Sequence, residues 1–233
     1  MNSQSIVRHD VAKAEGLHKQ FQKGNEDIIA LNNVSFNIRS YDFIAISGPS
    51  GGGKSTLLNI LGCLDKPDRG NLFIGGQNTS EVSTETLAHI RRDNIGFIFQ
   101  DYNLIDQFTL LENVMLPLLY RGTNKQDAKE TATKCLKQVD LSSRADHLPS
   151  ELSGGQQQRG AIARALSYAP PLILADEPTG ALDPKSSETV METLKQLAHA
   201  GHAVVIVSHD NALVQTVPIQ YQIDAGTLEL IRH

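Results

Sequence analysis

The stretch DFIAISGPSGGGKSTLLNILG, Asp42 to Gly62, decides how this chain is read. DFIAIS is a short apolar run of strand type, and KSTLLNILG has helical periodicity. Between them GPSGGGKS, residues 48–55, matches G-x-x-x-x-G-K-[ST] in the strand–loop–helix setting that gives the pattern its meaning. Glycines let successive backbone N–H groups curl around phosphate oxygens, and the following helix turns its positive N-terminal end toward the same anion. Gly48, Pro49, Ser50, Gly51, Gly52, Gly53, Lys54, Ser55 and Thr56 are therefore a candidate cradle for a nucleoside triphosphate. Lys54 is expected to reach the β and γ phosphates and the Ser55 hydroxyl to sit on Mg²⁺.

Outward from the cradle, strand-like runs occur at Leu31–Ile38, Ile95–Gln100, Pro171–Asp176 and Ala203–Ser208. The last two are continuous apolar runs, the mark of strands buried on both faces of a parallel sheet. Helical periodicity follows Lys54 and spans Thr109–Arg121, Lys125–Val139, Gly154–Tyr168 and Ser186–Ala200. Alternating strands and helices imply an α/β fold with a parallel sheet. The early strands, to about Phe36 and again at Leu72–Ile74, read as a smaller antiparallel layer. The nearly all-helical segment 101–152 reads as a subdomain inserted into a core of residues 1–100 and 153–233, within one domain spanning 1–233. QYQIDAG and TLELIRH read as the closing strands of a finished fold, which favours a separate subunit or a cleanly bounded domain.

A second acidic motif lies in PLILADEPTG. Asp176 and Glu177 stand at the C-terminal end of a buried strand, where open α/β sheets bind ligands. Phosphoryl transfer to water needs a metal and a positioned nucleophile. Asp176 suits the Mg²⁺ shell through water, and Glu177 suits a general base that polarises the attacking water.

Bulk properties narrow the class. The chain has 233 residues, a formal net charge of −5 and two cysteines, Cys63 and Cys135, in no metal-binding or disulfide spacing. The charge argues against a general nucleic-acid binder. MNSQSIVRHDVAKAEG lacks the apolar run of a signal peptide, and LLENVMLPLLY (Leu110–Tyr120) is interrupted by Glu112, Asn113 and Pro117, so no membrane span is expected. The expectation is a soluble, cytoplasmic protein.

LSGGQQQR, Leu152–Arg159, lies upstream of DEPTGALD, and with the cradle and acidic motif it resembles the signature of the ABC (ATP-binding cassette) family. The segments LLNILGCLDKP, IGFIFQDYNLIDQFTLLENVMLPLLYRG and LPSELSGGQQQRGAIARAL are similar to the branch of macrolide exporters and lipoprotein-releasing systems, and GALD leans toward the macrolide side. The likeness covers almost the whole chain. It implies an ATPase with the P-loop ATP-binding-cassette fold, using ATP and Mg²⁺. It further implies that Ser153, Gly154, Gly155 and Gln156 contact the γ-phosphate held by another subunit's cradle, and so a head-to-tail homodimer or heterodimer enclosing two ATP molecules. By the same resemblance Gln100 joins the Mg²⁺ and γ-phosphate shell, His209 contacts the γ-phosphate, Asp183 lies at the dimer seam, and Phe21 stacks on adenine, with Tyr41 as the alternative aromatic. Three positions depart from the pattern: Gly52 stands for the usual Ser, Tyr41–Asp42 for Gly-Glu, and Gly160 for Val or Ala.

The family's logic adds a transmembrane permease partner, holding the chain at the inner face of the membrane. Its contact is expected after Gln100, around Tyr102, Leu104, Ile105, Phe108 and Leu111. The implied function is export of hydrophobic compounds, peptides or lipoproteins. The alternative is a mechanotransmission ATPase that regulates an envelope enzyme through a membrane partner and translocates nothing.

Overall fold

The computed structural model describes residues 8–24 and 26–233, so the reading of residues 1–7 lies outside it. Two sheets organise the chain. A six-stranded sheet runs in the order β10(Thr227–Arg232)–β9(Ile219–Asp224)–β3(Phe43–Ser47)–β8(Ala203–Val207)–β7(Leu172–Asp176)–β6(Ile95–Ile98), parallel except for β10. A smaller antiparallel sheet has the order β2(Glu26–Arg39)–β1(Asp10–Lys23)–β4(Arg69–Ile74)–β5(Gln77–Asn78). The helices are α1(Lys54–Leu61), α2(Thr84–Asn94), α3(Leu110–Tyr120), α4(Lys125–Gln138), α5(Gly154–Leu166), α6(Pro184–His199) and the single turn α7(Asn211–Val214). The mixed α/β architecture with a parallel and an antiparallel sheet is the one anticipated.

Alternation along the central strands explains the continuous apolar runs. Ile44, Ile46, Leu172, Leu174, Val205 and Val207 pack toward α1 and the antiparallel sheet. Ala45, Ile173, Ala175, Val204 and Ile206 pack on the other face, in one continuous core with Leu110, Val114, Leu136, Ile162 and Leu194 of the helical layer. Both faces are dry, so no strand position is free for a polar side chain. The segment 101–152 shares this core with the sheet, and α5 packs against both α3 and α4.

Several boundaries differ from those expected of the sequence. β6 ends at Ile98, so Gln100 belongs to the following turn. β2 begins at Glu26, five residues before the expected Leu31, and is paired throughout with β1, where register shifts mark bulges. Helix α2 was not anticipated; only Leu87 and Ile90 of its eleven residues are buried, too few to set a clear period. Tyr41, where the related pattern has Gly, sits at φ 68°, the left-handed region that a glycine enters more easily. Gly160 also finds a reason: a Cβ there would lie 2.5 Å from Leu110 Cδ1, so the missing methyl lets α3 lie close to α5.

One buried amide fixes the turn before α3. Thr109 and Glu112 form the anticipated capping box, with Thr109 N donating to Glu112 Oε2 at 2.8 Å and Glu112 N to Thr109 Oγ1 at 3.2 Å. Asn113, fully buried, donates through Nδ2 to the carbonyls of Ile105, Phe108 and Thr109 and accepts from Ile105 N at 2.7 Å. Replacing it by leucine strands those backbone groups. Asn113→Leu is expected to lower stability in urea titration by about 2–3 kcal/mol, whereas a loss under about 0.5 kcal/mol would contradict the assigned role.

Candidate active site

Four motif-bearing loops leave the same edge of the sheet. They follow β3, β8, β7 and β6, adjacent parallel strands whose ends are aligned by the pairs Ile46↔Val207, Val207↔Asp176 and Ala175↔Ile98. The loops therefore converge at the carboxyl ends of the strands without any long-range device beyond sheet register. Between them and β2 lies an open cleft of about 480 Å³. Its lining includes Phe21, Ser50, Gly51, Gly53, Lys54, Ser55, Thr56, Gln100, Asp176, Glu177 and His209.

The cradle is wedged tightly between two strands. A Cβ on Gly48 would lie 2.0 Å from the Ile223 carbonyl oxygen, and one on Gly53 would lie 2.3 Å from that of Ala30. Gly53, at φ 107°, is the residue from which α1 starts. Lys54 folds back over the loop, its Nζ donating to the carbonyls of Gly48 and Pro49, each at 2.8 Å. A bound polyphosphate would offer this ammonium ionised acceptors in place of neutral carbonyls, a stronger interaction.

Asp176 ends β7 half-buried, with Glu177 directly after it. Burial pushes the Asp176 carboxyl above its ordinary value and the charge of Glu177 adds to the rise, while Lys54 opposes both. Glu177 occupies φ 44°, a left-handed conformation rare for a residue with a side chain. It is held there by its N–H to the Val207 carbonyl at 2.9 Å and by Gly180 N donating to its own carbonyl at 3.1 Å. Its side chain accepts from Ser208 Oγ at 3.1 Å and His209 N at 3.0 Å, and meets His209 Nδ1 at 2.7 Å. The His209 ring itself is 73% exposed. Ser208 was not singled out from the sequence, although its place just before His209 was available as a signal.

Of the remaining candidates, only Phe21 lines the cleft. Phe21, paired across the strands with Ile28, is 43% exposed at the mouth of the cleft, with Lys19 Nζ 5.5 Å from its ring centroid. Tyr41 lies beside Gly201, before the opposite, N-terminal end of β3. Ser153, Gly154, Gly155 and Gln156 lie outside the cleft lining. Ser153 caps α5, with reciprocal bonds to Gln156 at 2.9 and 3.4 Å. Gly154 and Gly155 are packed so closely that a Cβ would lie 2.8 Å from Tyr102 Oη and 2.6 Å from Ser186 Oγ, respectively. Asp183 caps α6, and the Ser186 hydroxyl holds its carboxyl below the ordinary carboxylate value.

In the segment expected to meet a partner, Phe108 is exposed and Tyr102, Leu104, Ile105 and Leu111 are half-buried. Leu104 and Leu111 pack on the core, Ile105 is tied to Asn113, and Tyr102 approaches Gly154. A groove of about 580 Å³ opens beside it, floored by Phe97 and Phe99, stacked at 5.3 Å, and rimmed by Arg91, Arg92, Tyr120 and Tyr168.

With this geometry in view, a comparison with protein families matches residues 31–180 to the family described as ABC transporter. The chain belongs to the ABC transporter family. It is 52% identical over 203 residues to the ABC transporter ATP-binding protein MJ0796 of Methanocaldococcus jannaschii, covering 85% of this chain and 86% of that one. It is 49% identical over 192 residues to the macrolide export ATP-binding/permease protein MacB of Burkholderia pseudomallei, covering 82% of this chain but only 29% of MacB. Among solved structures, the dimeric post-hydrolysis state of the MJ0796 cassette bound to ADP and Pi superposes with a TM-score of 0.84 at 44% identity, covering 95% of this chain and 99% of that one. The chain is an ATP-binding cassette with ATPase activity, of the kind these relatives carry. No helix among the described residues is long and apolar enough to cross a membrane.

A carboxyl raised in the folded state is protonated more readily there than in the unfolded chain, so its contribution to stability falls as pH rises above the ordinary value of 3.8. Asp176→Asn is therefore expected to raise the Tm of the nucleotide-free chain at pH 7, with the gain shrinking toward pH 4 in thermal scans. A variant melting lower than the parent at pH 7 would contradict it.

Proposed function

We propose that this cassette hydrolyses MgATP at the interface of a head-to-tail pair and uses the cycle to drive a transmembrane permease, in export of hydrophobic compounds, peptides or lipoproteins. The observation that carries the pairing is the separation of parts. Lys54, Gln100, Asp176, Glu177 and His209 share one cleft, while the exposed Ser153 and the glycines after it do not line that cleft. A two-fold partner would bring its signature to this cleft and receive this chain's signature in return.

Within the cleft the roles follow from chemistry. Residues 48–56 and Lys54 bind and orient the phosphates, and Phe21 offers its exposed face to adenine. Ser55, Gln100 and Asp176 bring three oxygen donors to one place, a set suited to Mg²⁺, which favours few protein ligands beside substrate phosphates. Bound there, Mg²⁺ would offset the charge of the phosphates and of the adjacent carboxylates. Glu177 takes the proton of the attacking water, and the Ser208 and His209 donors keep its carboxylate oriented for that task. The His209 ring, exposed on the far side of this contact, is free to turn toward a γ-phosphate. Ser153 and the N-terminus of the partner's α5 supply positive potential to the phosphate in the transition state. Asp183 sits at the seam.

The relatives named as export ATP-binding/permease proteins support a permease partner, and the groove beside Gln100 supports its place. We treat segment 101–152 as the subdomain that carries this groove's outer wall, moving against the core of 1–100 and 153–233 as nucleotide binds. Two outcomes test the reading. Glu177→Gln should lower kcat by about 10²- to 10⁴-fold while ATP still binds, and should trap an ATP-dependent dimer on gel filtration; turnover at the parent rate would remove Glu177 from the role of base. Tyr120→Asp, at a residue 78% exposed on the groove rim, should leave ATPase activity intact and weaken copurification of the permease; unchanged copurification would place the contact elsewhere.

A further inference from the structure

Gln158 is fully buried in α5, one turn beyond Gly154 and Gly155, and no step described above uses it. Its Nε2 donates to the Pro178 carbonyl at 2.7 Å. Its Oε1 is buried and has no hydrogen-bond partner. Pro178 directly follows Glu177, so a single amide joins the helix that bears the signature to the strained peptide that bears the base. A buried amide with an unsatisfied oxygen is costly, and leucine or methionine would fill the same space without that cost. The polar group is explained by what its donor holds.

We propose that Gln158 is a positioning residue that transmits engagement of this chain's signature, by ATP on the partner, to the placement of this chain's own Glu177. The inference rests on the head-to-tail reading above. The mechanical path is short. The N-terminus of α5 presents Ser153; Gln158 lies on the same helix; its amide fixes the Pro178 carbonyl; and the φ 44° conformation of Glu177 sits immediately before that proline. The same helix also ends on the loop after Gln100, where Arg164 Nη2 donates to the Tyr102 carbonyl at 3.0 Å and Nη1 to that of Asn103, both residues in left-handed conformation. Helix α5 thus touches the signature surface, the base loop and the Gln100 loop with side chains facing three ways. When a partner's nucleotide draws Ser153 toward it, a small shift of α5 reaches Glu177 through the Gln158 amide.

The test uses Gln158→Met, which keeps the length and loses both polar atoms. The expected result is ATP binding and KM near those of the parent, kcat lower by about tenfold to a hundredfold, and a Hill slope for ATP falling from about 2 toward 1. Gln158→Asn, with the amide kept but one methylene too short to reach Pro178, should match the methionine variant and serves if that variant does not fold. A variant with parent kcat and Hill slope overturns the proposal. So does a fall in kcat that merely follows the folded fraction, with cooperativity unchanged. A parent chain with a Hill slope of 1, yet silenced by Glu177→Gln, would overturn the coupling while leaving the base assignment standing.

Discussion

Two carboxylates side by side at the end of a buried strand set the terms for everything around them. Asp176 and Glu177 concentrate negative charge in the cleft, an arrangement unfavourable in isolation: burial raises the Asp176 carboxyl above its ordinary value and the charge of Glu177 adds to the rise. It becomes favourable only when cations and donors surround it. Lys54 lies near enough to oppose the rise, Ser208 and His209 donate to Glu177, and Ser50, Gly51, Gly53, Ser55 and Thr56 line the same space. Sheet register places all these groups, since the loops leave four neighbouring parallel strands at one edge. Stability is given up at this edge so that charge can be handled there.

Several polar groups at and around the cleft are paired within the chain. Lys54 holds the carbonyls of its own loop, His209 holds Glu177, and Ser153 and Asp183 cap their own helices. Each of these contacts involves a group assigned to phosphate, nucleotide or partner. On the proposed function, binding would exchange some of these bonds for bonds to ligand and second copy.

How much of this was readable from sequence depended on whether the chemistry was local. The cradle was legible because close approach to Ile223 and Ala30 demands glycine, and a glycine-rich loop ending in Lys-Ser between strand and helix suits little besides phosphate. The central strands were legible because a sheet covered on both faces needs unbroken apolar runs. Strand β1 was not, since DVAKAEGLHKQFQK mixes charges and bulges over a half-exposed surface. The groove beside this segment was not legible, because nothing in DYNLIDQF reveals that Asn113 would hold the Ile105 turn and that half-buried Phe97 and Phe99 would line a neighbouring groove. The bonds from Gln158 to Pro178 and from Arg164 to Tyr102 join side chains to carbonyls far along the chain, and backbone acceptors carry no residue code.

In the proposed function, one reaction is divided between two copies of the chain. Mixing two inactive variants measures it most directly: Lys54→Ala, with its signature intact, and Ser153→Arg, with its cradle intact. Each alone should be without ATPase activity, and the mixture should regain it, because the mixed pair contains one cleft with both halves sound. A mixture as inactive as its two components would contradict the account.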